Sequence, residues 1–386
     1  MKKAIVLLCL LSAGILLTGC RYGHEKYLAD RLIHINMTGQ IENTPVYLND
    51  FVEHIRIIRL ETTEESLISN FRGFVGDKHI IAMEQESIMH FSADGSFTGT
   101  IAKRGSGPRE FNQVTAFAVD DHERFFLFHN MGQNRIYKYN LDKNRFEEDL
   151  PFVDHGSLSS LIWVNDSLLM VVPARFADYG YLWFFQTMDG RITAGKEQET
   201  IPHPGAWAGF NTLVSKGPDG TIYMQPSESD TLFMLAAEGM EPLVVITPVP
   251  PVKQGDITKG ARILFQHLEQ DRVFFSEVLH ETMITHNRSS IRALENNQLI
   301  YDRHSGKIYR ASPLYVNLEG IDLELPFVFI RHNQFISQFA AWEFKEKLGE
   351  ALVNGRVPAS RVNDFNTLYM ETDENDNPII IVGTND

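Results

Sequence analysis

Short apolar runs closed by Asp, Asn or Gly recur along almost the whole chain. Residues 114–119, 124–129 and 135–140 show the pattern clearly. Each run carries β-branched or aromatic residues, with turn residues between runs, which is how short antiparallel strands read. In four successive units an apolar run ends in an acidic turn, at Asp94, Asp142, Asp189 and Glu238, with spacings of 48, 47 and 49 residues. A second turn keeps step at Asp77, Asp121, Asp166 and Asp219, then at Asn296 and Asn297. Repeats of about 40–50 residues with four short strands each predict the blades of a β-propeller. A β-sandwich would also give short strands, but it requires no fixed interval. The first four units span 72–102, 114–150, 157–195 and 210–247.

The pattern then becomes irregular. Pro248, Pro250 and Pro251 stop it. Over 257–273 the placing of Ile263, Leu264, His267 and Leu268 predicts a helical insertion. A fifth unit is expected as strands at 277–285, 290–294, 299–302 and 307–310, and a sixth begins near Ile321. The sixth is interrupted by a second predicted helix over 333–353, where Ile336, Ala340, Phe344, Leu348 and Leu352 recur every four residues until Asn354 and Gly355 stop it. Two apolar runs remain, 55–60 and 378–382. A ring of sheets leaves exposed edges unless its ends meet, so these runs are expected to pair and seal the last blade. The expectation is an all-β, six-bladed propeller of four-stranded blades, or seven-bladed if the helical regions hide a degenerate unit.

The first residues change the picture of where the chain works. Lys2 and Lys3 precede an uncharged apolar run over 4–17, too short to span a bilayer, followed by Leu17-Thr18-Gly19-Cys20. This is the anatomy of a secretory signal. The expected layout is a signal peptide over 1–19, a polar lipidated tether over 20–50 and a single propeller domain over 51–386. The only cysteines are Cys9 and Cys20, so no disulfide and no cysteine metal site is available after processing. Without Lys2 and Lys3, 33 basic residues face 50 acidic ones, a balance of −17 that makes nucleic acid and anionic headgroups poor partners.

Leu17-Thr18-Gly19-Cys20 resembles the lipobox of bacterial lipoproteins, in which the Cys is acylated. Together with the opening at 55–62, the loop Gly105-Ser106-Gly107-Pro108-Arg109-Glu110-Phe111 and the ending Asn375-Asp376-Asn377-Pro378, the chain resembles the six-bladed propeller lipoproteins of Bacteroides-type bacteria, related in pattern to NHL-repeat propellers. In NHL-like repeats the loop reads Gly-x-Gly-Pro-Gly-x-Phe, and here Arg109 replaces the last Gly. The resemblance implies a cell-envelope location, periplasmic or surface-exposed, with the membrane met through lipid on Cys20. It implies no particular reaction.

Strand direction says which loops share a face. The loop between units and the loop between second and third strands should converge at the channel mouth. That gathers Arg104, Arg109, His129, Asn130, Arg175, Tyr179, His203, Trp207, Arg303 and His304 as a candidate rim. There Arg could fork onto a carboxylate and Trp207 could stack on a sugar or peptide side chain. The alternative is that these are ordinary loop residues, with Arg104 and Arg109 paired to Glu110 or Asp120. Catalytic signatures are weak. His286 follows His280 by six residues, the wrong spacing for a zinc-protease helix, and no Gly-x-Ser-x-Gly elbow is present. Asp373, Asn375 and Asn377 begin like a calcium loop, but Pro378 stands where Gly is required and no Glu follows, leaving a solvated turn. No cofactor is called for. The favoured expectation is a non-enzymatic binding or scaffold propeller engaging a glycan, peptide or envelope protein. The alternative is a metal-dependent lactonase or hydrolase, or a lyase, at the channel mouth, with Asp154, His155, His129 and His203 as ligands.

Overall fold

The computed structural model describes residues 32–385 apart from 132–134, 153–156, 175–179, 198–211, 218, 227–228, 237–238, 255–256, 270, 286–287, 327 and 332–333. It is a β-propeller. Six meandering antiparallel sheets follow one another along the described chain. They start at Gly73–Val75, Val114–Val119, Leu158–Asn165, Leu213–Lys216, Ile257–Leu268 and Val328–Arg331. Four of the contacts between these first strands run in series from the second sheet to the sixth, which sets them around an axis.

Packing explains why the inner strands are so apolar. Each sheet is sandwiched between two others, so both faces of its middle strands are buried. Phe125–Asn130, with five of its six residues buried, and Leu168–Pro173 are examples. Alternate residues serve different neighbours. Ile80 packs with Ile336 and Ile380 of the last sheet, while Ile81 packs with Val119 and Phe128 of the second. Six apolar clusters each join two adjacent sheets, and the last returns to the first.

The seam closes as the sequence predicts. The strand Ile379–Thr384 pairs antiparallel with β4 (His54–Arg59), from Ile379 opposite Arg59 to Thr384 opposite His54. Asn377 locks the corner. Its side chain, 1% exposed, accepts from the Ile68 N–H at 2.7 Å and donates to the carbonyls of Glu61 at 2.9 Å and Ser66 at 2.8 Å. The reading of this turn as merely solvated therefore holds for Asp373 and Asn375 but not for Asn377.

The segment expected as a tether is partly built into the fold. β1 (Ile33–Asn36) lies parallel on the outer strand Gly239–Thr247 of the fourth sheet, and β2 (Ile41–Glu42) on Lys307–Arg310 of the fifth. β3 (Val46–Tyr47) lies on Leu314–Leu318, part of a small hairpin before the sixth sheet. The chain thus laces over the outside of the ring before β4 closes it. The alternation of buried Ile33 and Ile35 with exposed His34 and Asn36 is a strand signal, but four residues are too few to stand out in the sequence.

The helix expected over 257–273 is instead a strand, Ile257–Leu268, followed by two more long strands, Arg272–Thr285 and Arg288–Asp302. Ladder pairing runs the length of all three, so the fifth sheet extends well beyond the others as an arm. A register shift between Phe265 and His267 moves one residue out of phase, and this break in alternation imitates a helical spacing. The second predicted helix is half right. Residues Gln334–Phe339 are a strand, and α1 (Ala341–Val353) starts after it, followed by α2 (Val362–Glu371). α1 buries Ala341, Phe344, Leu348 and Ala351 and ends at Gly355, whose φ of 63° suits a residue without a Cβ.

Candidate functional site

A cavity of about 540 Å³ lies on the axis, lined mainly by the first strands of the second to fifth sheets, with Ile330 from the sixth. Its wall mixes hydroxyls and amides, such as Ser160, Ser215 and Gln266, with apolar surface from Phe117, Ile162 and Leu264. This mixture arises because a first strand meets the channel along its edge, so side chains of both faces border it. Thr115 is held from behind by His129, whose Nδ1 lies 2.8 Å from the Thr115 hydroxyl.

One end of this cavity is bolted. The Lys216 ammonium lies 2.7 Å from both carboxylate oxygens of Asp121 and within 3.1 and 3.2 Å of the Trp163 and Val164 carbonyls. The contact reaches from the fourth sheet past the third to the second. An ammonium with three protons facing four acceptors is saturated, so Lys216 acts as a cross-brace. Asp121, Trp163 and Lys216 all stand near the ends of first strands, which puts the brace on the face of the first-to-second-strand turns.

Among the described residues, those expected at the rim do not meet in one surface. Arg104 pairs with Glu86 at 3.1 Å in an exposed contact. Arg109 pairs with Asp149, donates to the Glu147 carbonyl at 3.3 Å and lies over the Phe146 ring at 4.9 Å, against the outer strands of the second sheet. Neither arginine uses the partner expected, Glu110 or Asp120. Glu110 instead accepts from the Gly107 N–H at 2.6 Å inside the loop. His129 is fully buried and packs edge-on against Phe152 at 5.0 Å. Asn130, 1% exposed, accepts from the backbone N–H groups of Asn112 and Gln113 and so fastens the loop. Arg303 and His304 occupy the turn between Arg288–Asp302 and Lys307–Arg310. That turn joins the third and fourth strands of the fifth sheet, whereas His129 and Asn130 end a second strand, so the two lie on opposite faces. Arg175, Tyr179, His203 and Trp207, with Asp154 and His155, lie outside the described residues, as does Cys20.

The Gly105–Phe111 loop is a self-contained turn. The Gly105 N–H bonds the Phe111 carbonyl at 2.9 Å, and a Cβ on Gly105 would come within 2.0 Å of the Glu110 carboxylate. Arg109 has a φ of 66°, the left-handed conformation for which glycine is suited, at the position where it replaces a glycine of NHL-like loops.

A family model described as a domain of unknown function, DUF4934, matches residues 32–384. The chain belongs to that family. The match begins at β1, in keeping with the lacing strands being part of the DUF4934 domain. A crystal structure of a presumptive exported protein from Bacteroides fragilis is similar, with a TM-score of 0.60 and 15% identity over 91% of this chain and 98% of that one. BamB from Moraxella catarrhalis aligns with a TM-score of 0.44 and 10% identity over 86% and 99% of the two chains. The Swd1 β-propeller domain of Myceliophteria thermophila gives 0.38 and 9% over 73% and 96%. No curated protein matches.

Two features of this DUF4934 chain had no sequence signal. Lys216 ends a four-residue strand without a motif. The other is a histidine pair, buried His90 with half-buried His79, at the junction of the first two sheets. His90 Nε2 lies 2.9 Å from His79 Nδ1, and His90 Nδ1 lies 2.9 Å from Asn144 Oδ1. Burial, with His79 beside it, pulls the His90 pKa down to about 4. Among the described residues no cluster of three or more His, Cys, Asp or Glu is arranged to hold a metal ion.

Proposed function

We propose that this chain is an exported, six-bladed propeller lipoprotein, anchored in the bacterial envelope by lipid on Cys20, that binds a glycan or peptide segment in its axial cavity without transforming it. The cavity is the observation that carries the reading. At about 540 Å³ it falls within the range of about 300–1,000 Å³ common for ligand sites, and hydroxyls and amides alternate with apolar wall as recognition of a polar chain requires. Its titratable groups are few, and the two that meet, Asp121 and Lys216, spend their charge on each other. The six interlocking apolar clusters support the count of six blades. The brace at one end favours access from the opposite face, beside the arm of the fifth sheet.

Calorimetry of the full processed chain against envelope oligosaccharides and extended peptides tests this. Ser215 lines the cavity with its side chain exposed. Ser215→Trp should fill the space and abolish binding of any ligand that the wild type retains. Unchanged affinity in a folded Ser215→Trp protein would remove the cavity from consideration. Anchoring is tested apart from this: Cys20→Ser should move the protein from the membrane to the soluble fraction, and retention on the membrane would refute lipidation there.

A further inference from the structure

A second concavity lies on the outside of the ring, between α1 and the chain around α2, with a volume of about 480 Å³. It is separate from the axial cavity. α1 turns one stripe, Ala341, Phe344, Leu348 and Ala351, into the core. The neighbouring stripe, at 342, 345, 346, 349 and 350, lines the groove, the spacing of one helix face. Trp342 in this stripe is 55% exposed, a large aromatic left in solvent at no benefit to packing. Tyr369 from α2 forms the opposite wall. Gly349 lets its ring approach: a Cβ there would stand 2.9 Å from Tyr369 Cε2.

The charges of the groove have a sign. Glu346, Glu350 and Glu374 all line it, are exposed, and make no ion pair among the described residues. Lys345 is the one cation of the lining, and its ammonium sits 5.3 Å from the centre of the Tyr369 ring. That internal contact shows what the groove attracts, a positive charge over an aromatic face with carboxylates nearby. We propose that this groove is a docking site for a lysine- or arginine-bearing extended peptide segment of a partner protein. One cationic side chain lies over Trp342 and neighbours pair with Glu346 and Glu350. A neutral sugar could use Trp342 but would leave three carboxylates without a role. The complementarity of two aromatic faces and a net negative lining selects the cationic peptide.

The test uses the full processed chain, an octalysine peptide as the probe, and calorimetry with tryptophan emission as readouts. Trp163 and Trp183 are buried, so a response that disappears in Trp342→Ala reports on the groove. Trp342→Ala and the pair Glu346→Gln with Glu350→Gln should each weaken octalysine binding about tenfold. Lys345→Met, which removes the resident ammonium, should tighten it about twofold to threefold. Because the chain is acidic throughout, the control is Glu64→Gln with Glu65→Gln, an exposed pair outside the groove that removes the same charge. An equal loss in that control would overturn the proposal in favour of general electrostatic attraction. Absence of octalysine binding would overturn it as well. So would binding of neutral glucan oligosaccharides that ignores the glutamate substitutions.

Discussion

The two sides of the ring are held by different means. The fourth and fifth sheets, the small hairpin and the sixth sheet each receive a strand from residues 33–59, whereas the first three sheets receive none. On the laced side, Ile35 reaches 1% exposure by packing under the outer strand of the fourth sheet, and Glu42 pairs with Lys307 at 3.1 Å. On the bare side, the outermost strand of the third sheet, Ile192–Glu197, is exposed along its whole length. There, beside the shared apolar clusters, turn side chains clasp neighbouring sheets. The Glu123 carboxylate of the second sheet accepts the N–H groups of Asp77, Lys78 and His79 of the first, at 2.7, 2.9 and 3.1 Å. Arg124 reaches Asp166 of the third at 2.7 Å. To the apolar clusters shared all round the ring, this chain thus adds short paired strands on one side and polar clasps on the other.

The comparison breaks first at the lacing strand. Ile35→Ala should cost about 2–5 kcal/mol in urea denaturation, the usual range for emptying a fully buried aliphatic site. Hydrogen exchange should show the loss in the fourth and fifth sheets before the first three. Equal loss on both sides would mean that the ring responds as one unit. Asn377→Ala, at the seam, leaves the Ile68 N–H and two carbonyls without their partner. A cost of about 2–3 kcal/mol is expected from the same measurement.

Acid should act on the bare side. Burial, then the neighbouring charge of His79, lowers the His90 pKa from 6.5 to about 4. Between those values the unfolded chain takes up a proton that the folded chain refuses. This group's contribution is therefore complete above pH 6.5 and is lost as pH falls through 4. A drop on the order of 2 kcal/mol between pH 7 and pH 4.5 is expected from this residue, and His90→Gln should reduce the drop measured by urea midpoints. The smallest effect belongs to the brace joining the two sides. Lys216→Met should cost about 1 kcal/mol or less, because Asp121 is 61% exposed and its charge is largely screened.

The regular side was the readable one. In the first two units the runs and turns of the sequence fall on the strands Ser87–Ser92, Phe125–Asn130 and Arg135–Asn140, and the terminal pairing at 55–60 with 378–382 was legible because two orphan apolar runs had to find an edge. The laced side was not. Its strands β2 and β3 are two residues each, below the length at which alternation says anything. The arm has the opposite problem. Strands of 12, 14 and 15 residues exceed the usual five or six, so residues such as Leu294 and Leu299, which belong to one strand, were divided between two. Of the candidate binding residues, Arg104 and Arg109 were visible as charges in a glycine loop, but no one-dimensional signal could show that Asp149, 40 residues on, would draw Arg109 outward.

Pairing the beginning of the chain with its end sets a timetable for assembly. The sheets built from residues 73–197 draw only on neighbouring sequence, so they can form while the remainder is still being synthesised. β4 must wait until Ile379–Thr384 emerges, more than 300 residues later. A nascent chain therefore holds an open-ended stack with one face of its first sheet uncovered, and the arrival of Ile379–Thr384 decides when that stack becomes a ring.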